Sequence, residues 1–147
     1  LNHGPIDIVL EAFGKDKPLA YEKAKKYFST LLNELVLDMD LLKKEVVPHR
    51  NFNNKISQSM QNATEKFYPD FITPMAAVAG SVADNILNVL VKDTKLEKAY
   101  VNNGGDVSFY LTEAWHPFQT LLQKLIIKIN PEVLLHLDGE DEVFLLV

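Results

Sequence analysis

The chain has no cysteine, which excludes a disulfide framework, a zinc–thiolate site and a cysteine nucleophile together. It has no excess of positive charge either. Fifteen basic residues stand against twenty acidic ones, a formal net charge of −5, and this argues against general attraction to nucleic acid or an anionic membrane. Lys23, Lys25 and Lys26 are spread along a helical pattern and read as a solvated face. No apolar run approaches the roughly 18–20 residues of a membrane span, and the N-terminus lacks the order of a signal peptide. A soluble, cytoplasmic protein is the expectation. Internal repeats, low-complexity tracts and Gly/Ser linkers are absent, so 147 residues with 47% hydrophobic content read as one domain, 1–147.

Several chemistries lack their residues. His3, His49, His116 and His136 lie far apart, with no paired spacing for zinc. There is no Gly-x-Ser-x-Gly elbow for a serine hydrolase, no P-loop and no Gly-x-Gly-x-x-Gly fingerprint. Asn62-Ala63-Thr64 matches a glycosylation sequon, read as chance without a secretory signal. No catalytic residue is assigned.

What is present is a regular order of elements. Ile6, Ile8, Leu10 and Ala12 alternate with Asp7, Val9, Glu11 and Phe13, the period-2 signature of a half-buried strand that ends at Gly14. The chain opens on Leu1-Asn2-His3 and runs straight into this strand, which leads us to expect a further segment upstream. A polar loop from Lys15 to Pro18 precedes apolar positions at Ala24, Tyr27, Phe28, Leu31, Leu32, Leu35, Met39 and Leu42. That spacing predicts a long amphipathic helix to about Lys44, with Pro48 closing it. Arg50 to Lys66 reads as a second, shorter helix. Thr73-Pro74 predicts a third helix start, with threonine as cap and proline in the first turn, running to about Val91. Ala76, Gly80 and Asp84 then fall on one row of small side chains.

Glu97 to Asn102, a glycine pair, and Val107, Phe109 and Leu111 alternating with Ser108 and Tyr110 predict strand, kink, strand. Farther on, Leu121, Leu122, Leu125, Ile126, Ile127 and Ile129 suit either helix or strand. Asp138-Gly139 between two apolar runs predicts a hairpin. The acidic run Asp138 to Glu142 lacks the alternating ligands of a calcium loop and reads as a solvated turn.

Asn102-Asn103-Gly104-Gly105-Asp106 is the chemically richest cluster. Two glycines permit φ > 0 and remove Cβ atoms, so that backbone N–H groups can converge on an anion or ring edge. Asp106 would then accept from a ribose hydroxyl or a ring N–H, or help to place a metal ion. The same residues also describe an Asn-Gly type I′ hairpin, the reading that local pattern alone favours, and the ligand loop stands beside it. His3, beside Gly4-Pro5 at a strand mouth, is held open as ligand-facing; for Asp84 a solvated or capping role competes with a place on the smooth strip.

Three blocks, in this order, are His3-Gly4-Pro5-Ile6-Asp7, Thr73-Pro74-Met75-Ala76-Ala77-Val78-Ala79-Gly80-Ser81-Val82-Ala83-Asp84 and Tyr100-Val101-Asn102-Asn103-Gly104-Gly105-Asp106-Val107. Over about Leu1 to Thr112 the chain resembles the ApbE-related family, a branch of the ApbE-like superfamily whose characterised relatives are FAD:protein FMN transferases. The resemblance implies an α+β, T-fold-like architecture, an antiparallel sheet with a long helix pair on one face of each of two related halves. It implies a flavin-nucleotide (FAD or FMN) site lined by Thr73, Pro74, Met75, Ala76, Ala79 and Gly80 on one wall and by Asn102, Asn103, Gly104, Gly105 and Asp106 on the other, with His3, Asp7 and Asp84 as additional candidates. It also implies magnesium, and an acceptor protein carrying the flavinylated threonine.

In that superfamily the later half supplies an Asp and a Thr to the magnesium site, and Glu113 to Val147 does not match it. The second half is thus read as incomplete or divergent, with 113–147 an unmatched tail. A rival expectation is a non-catalytic interaction module, homo-oligomeric through the apolar tail Leu121 to Val147, which would cover or pair with a sheet.

Overall fold

The structure is a computed structural model that describes residues 1–112, 135–138 and 142–145. The expectations placed on 113–134, including His116 and the apolar pattern from Leu121 to Ile129, and on the turn at Gly139, lie outside the described residues.

Strand β1 (Asn2–His3) and strand β2 (Ile6–Gly14) are joined through Gly4-Pro5, and helix α1 (Lys17–Leu42) follows. Helix α2 (Lys55–Glu65), a 3-10 turn (Pro74–Ala77) and helix α3 (Val78–Val91) precede strands β3 (Leu96–Asn103), β4 (Asp106–Leu111), β5 (Leu135–Asp138) and β6 (Glu142–Leu145). The strands form one sheet in the order β1-β2-β3-β4-β6-β5, each neighbour pair antiparallel. The α+β expectation holds, and the antiparallel pairing of β5 with β6 suits the strand runs that flank Asp138-Gly139.

Alternation in β2 sorts the sheet as the sequence predicts. Ile6, Ile8 and Ala12 are buried while Asp7, Val9 and Phe13 are exposed. The buried set meets Ala20, Ala24, Phe28, Leu31 and Leu35 of α1 and Val82, Ala83, Ile86, Leu87 and Leu90 of α3 in one core. Helix α1 packs over β1 and β2, α3 over β3 and β4, and α2 lies against both helices and the 3-10 turn. All three helices therefore share one face, and the opposite face leaves Val9, Phe13 and Tyr100 in solvent.

Three boundaries differ from the sequence reading, each for a local reason. Helix α1 begins at Lys17, so Pro18 lies in its first turn, where proline loses no hydrogen bond. The preceding Asp16 does not cap the helix; its carboxylate accepts from Lys95 N at 2.8 Å and ties the helix start to the β3 approach. The helix ends at Leu42, well before Pro48, and the segment after it is fixed instead by Val46 N donating to Ile72 O at 2.8 Å. Thr73 makes no side-chain cap; Ala76 N donates to Thr73 O at 3.0 Å and the chain enters α3 through the 3-10 turn.

The stretch Pro74–Val91 corrects one further expectation. Its 18 residues have a mean hydropathy of 1.4, long and apolar enough to cross a membrane by length and composition, and half of it is buried inside the fold. That apolarity has a local use, since α3 is the helix that fills the space over β3 and β4.

Candidate functional site

The β3–β4 hairpin is a tight turn. Asn103 pairs with Asp106 across it, which leaves Gly104 and Gly105 as a two-residue loop with φ of 65° and 114°. Positive φ at both central positions is what a type I′ connection demands. The turn is centred on Gly-Gly rather than on Asn103-Gly104. Among the described residues a Cβ built on either glycine meets nothing within 4 Å, so it is the positive φ of the tip, not crowding by those residues, that calls for glycine.

Two polar contacts clasp the hairpin to α3. Asn103 Nδ2 donates to Ala79 O at 3.1 Å, and Ser108 Oγ donates to Asp84 Oδ1. Asn103 and Ser108 are 8% and 1% exposed, so both bonds are made where solvent does not compete. Register explains the choice of residues: Asn103, Val101 and Ala99 stand opposite Asp106, Ser108 and Tyr110, and cross-strand partners share a face. Ser108 is the participant that sequence reasoning missed. Its signal was the polar residue between Val107 and Phe109, but period-2 alternation does not say which set faces the helices.

The other candidates fall as follows. Asn102 Oδ1 accepts from Gly105 N at 3.0 Å, so this asparagine braces the turn, and the Gly105 N–H is already satisfied within it. Each of these two asparagines thus holds the protein's own backbone. Asp106 and Ala79 are half-buried, Gly80 is buried and Gly104 and Gly105 are exposed. Pro74 is buried and Met75 packs on the core; the 3-10 turn that carries them lies against α2, so this wall adjoins the hairpin only through the start of α3. Ala76 is exposed while Gly80 is buried, so the small-residue row does not continue through the 3-10 turn as one even strip.

His3 pairs with Ile6 in β1 and sets its ring edge-on to Phe28 of α1, centroids 6.1 Å apart at 69°. It is thus a packing residue on the helix face, at the same end of the sheet as the hairpin because Ile8 pairs with Asn103. Asp7 points to the opposite face and is exposed. The three blocks therefore meet at one end of the sheet, on both of its faces.

Helix α2 brings buried polarity beside the 3-10 turn. Ser57 and Gln61 are fully buried, and among the described residues Ser57 Oγ and Gln61 Oε1 find no hydrogen-bond partner, while Gln61 Nε2 donates to Val47 O at 3.0 Å. Thr64 of the Asn62-Ala63-Thr64 sequon lies within α2, its hydroxyl donating to Met60 O at 2.8 Å. A buried, bonded hydroxyl inside a helix suits the reading of that motif as chance.

Among the described residues no three His, Cys, Asp or Glu side chains form a group that could hold a metal ion. Away from the hairpin, Glu11 accepts from Lys17 and from Tyr21 OH at 2.8 Å. The Lys17 and Tyr21 hydrogen bonds hold its carboxyl below the usual range. This cluster fastens the start of α1 to β2 and contains no pocket chemistry.

Comparison with curated proteins and with solved structures finds no match. A family model described as AbpE bacteria matches residues 1–131, nineteen residues beyond the Thr112 limit expected from the motifs. With most of its length inside that match, the chain belongs to the AbpE bacteria family.

Proposed function

We propose that this protein is an ApbE-like, T-fold-related flavin-nucleotide-binding protein of the cytoplasm, with FMN transfer to an acceptor protein as its activity. The single observation that carries the reading is the open Gly104–Gly105 tip clasped to the first turn of α3 through Asn103 and Ala79. A flat ring system would approach backbone there, since among the described residues nothing lies within 4 Å of a Cβ built on either glycine.

FAD or FMN would lie at this end of the sheet, between the exposed tip and the half-buried Val78 and Ala79 at the start of α3. Asp106, half-buried at the hairpin base, is the carboxylate placed to accept from a ribose hydroxyl or ring N–H. Asn102 and Asn103 serve the ligand indirectly, by holding the turn and its docking. FAD, when bound, would supply the phosphoanhydride that transfer cleaves, whereas FMN contains none and could only be bound. Magnesium does not fit the described residues, which offer no three-ligand group, and no metal-assisted step is assigned.

A titration of FAD with the purified chain, with and without magnesium and repeated with Asp106→Asn, tests the proposal. Saturable quenching or enhancement of flavin fluorescence, weakened at least about tenfold by the loss of a charge-assisted bond, is expected. Absence of binding by folded protein under both conditions overturns it. A second reading rests on a different observation: Val9, Phe13 and Tyr100 are 61%, 40% and 37% exposed on the face away from the helices, as an interaction module requires. Under that reading, light scattering shows a concentration-dependent mass that Val9→Lys abolishes.

A further inference from the structure

Asn103 is the one asparagine of the chain followed by glycine. An Asn-Gly step loses its amide more readily than other asparagine steps, because the glycine nitrogen carries no neighbouring Cβ to obstruct its approach to the side-chain carbon. In this fold the reaction is opposed in three ways. Asn103 ends β3 in extended backbone, its Nδ2 is held by Ala79 O at 3.1 Å, and the residue is 8% exposed. Ring closure requires Asn103 to leave the extended conformation and to release the α3 carbonyl.

We propose that Asn103 is a self-modification site, gated by the docking of the β3–β4 hairpin on α3. When the hairpin lifts, the Gly104 backbone nitrogen attacks Asn103 Cγ. The N–Cγ bond forms, the Cγ–Nδ2 bond breaks, and the amide nitrogen leaves as ammonia with the proton that Gly104 N gives up. Water, the sole co-reactant, then opens the cyclic imide at either carbonyl, giving aspartate or isoaspartate. Neither product can re-form the clasp. The donor to Ala79 O has become a carboxylate, and Asp106, the direct cross-strand partner of position 103, now faces a like charge, which destabilises a strand pair. Isoaspartate also adds a backbone carbon to β3 at the turn, shifting the local register. The step is one-way, so the hairpin records how often it has opened.

Peptide mapping by mass spectrometry tests this, following amide-to-acid conversion at Asn103 in folded protein and in urea at the same mildly alkaline pH. Conversion should be at least roughly tenfold slower in the folded protein, as expected when local opening must precede reaction. Ser108→Ala removes the second clasp, the Ser108–Asp84 bond, and should raise the folded rate severalfold while leaving the rate in urea unchanged. Equal rates in folded and unfolded chain, or a Ser108→Ala rate equal to the parent in both states, overturn the gating. Asn103→Asp imitates the product and carries the test if Ser108→Ala does not fold: a lower urea midpoint than the parent is expected, and an unchanged midpoint contradicts the proposal.

Discussion

Gly104 and Gly14 both hold positive φ, at 65° and 129°, yet they are glycine for different reasons. At Gly104 a Cβ meets nothing within 4 Å, whereas at Gly14 it would sit 2.7 Å from Lys95 O and 2.8 Å from Leu96 Cα. Alanine at 104 is therefore expected to cost only the left-handed penalty of about 1–2 kcal/mol, and asparagine there less. Alanine at 14 collides with backbone that a packed strand holds in place, and should cost more than roughly 3 kcal/mol. Urea denaturation of the two variants checks the ordering. Equal costs would mean that the space around the hairpin tip is not open. A second residue-scale expectation concerns Ser108. Its bond to the Asp84 carboxylate is charge-assisted, so Ser108→Ala should lower stability by about 1.5–3 kcal/mol, read from the same denaturation curves.

Among the elements, those whose pattern was strict were legible in the sequence. Strand β2 was readable because its four inward residues are apolar and three of the other four are exposed, and α1 because its buried positions recur over six turns. The Thr73-Pro74 signal located a helical start correctly, but that start is a 3-10 turn leading into α3 rather than a capped α-helix. A cap requires the threonine hydroxyl to reach a free N–H, and here a 3-10 turn uses the Thr73 carbonyl instead. For the hairpin, the turn was legible from its glycines while its attachment was not, because Asn103 and Ser108 owe their roles to α3, which is distant in sequence. Helix α2 shows the converse. Its N-cap, Asn54, accepts from Ser57 N at 2.8 Å and also donates to Glu34 O at 2.9 Å, joining two helices through one side chain. Asn54→Ala is expected to cost about 1–2 kcal/mol for the cap plus the α1 contact. A loss confined to helix propensity, with the α1–α2 packing intact by hydrogen exchange, would contradict that double role.

For the whole molecule, acid and alkali act on stability through different groups. Glu11 and Glu65 are both held below the usual carboxylate value of 4.5, Glu11 by its hydrogen bonds to Lys17 and Tyr21 and Glu65 by the His49 backbone N–H. A depressed folded value means stability that is present above pH 4.5 and lost as pH falls through the lower folded values. Glu11→Gln should remove part of that acid dependence. Tyr27 is pushed up to about 12 by burial, with Glu34 adding to the rise. Its contribution is intact below pH 10 and declines as pH rises toward 12, so Tyr27→Phe should flatten the alkaline limb. Thermal midpoints across pH read both effects.

The most direct test of the account is an amide chemical-shift map of the folded protein on addition of FAD. The account predicts that Gly104, Gly105, Asp106, Ala79 and Gly80 move together and saturably, while residues at the Glu11–Lys17 end stay in place. Shifts confined to the exposed Val9–Phe13–Tyr100 face, or none at all, would contradict a ligand at the hairpin and leave YVNNGGDV as a turn alone.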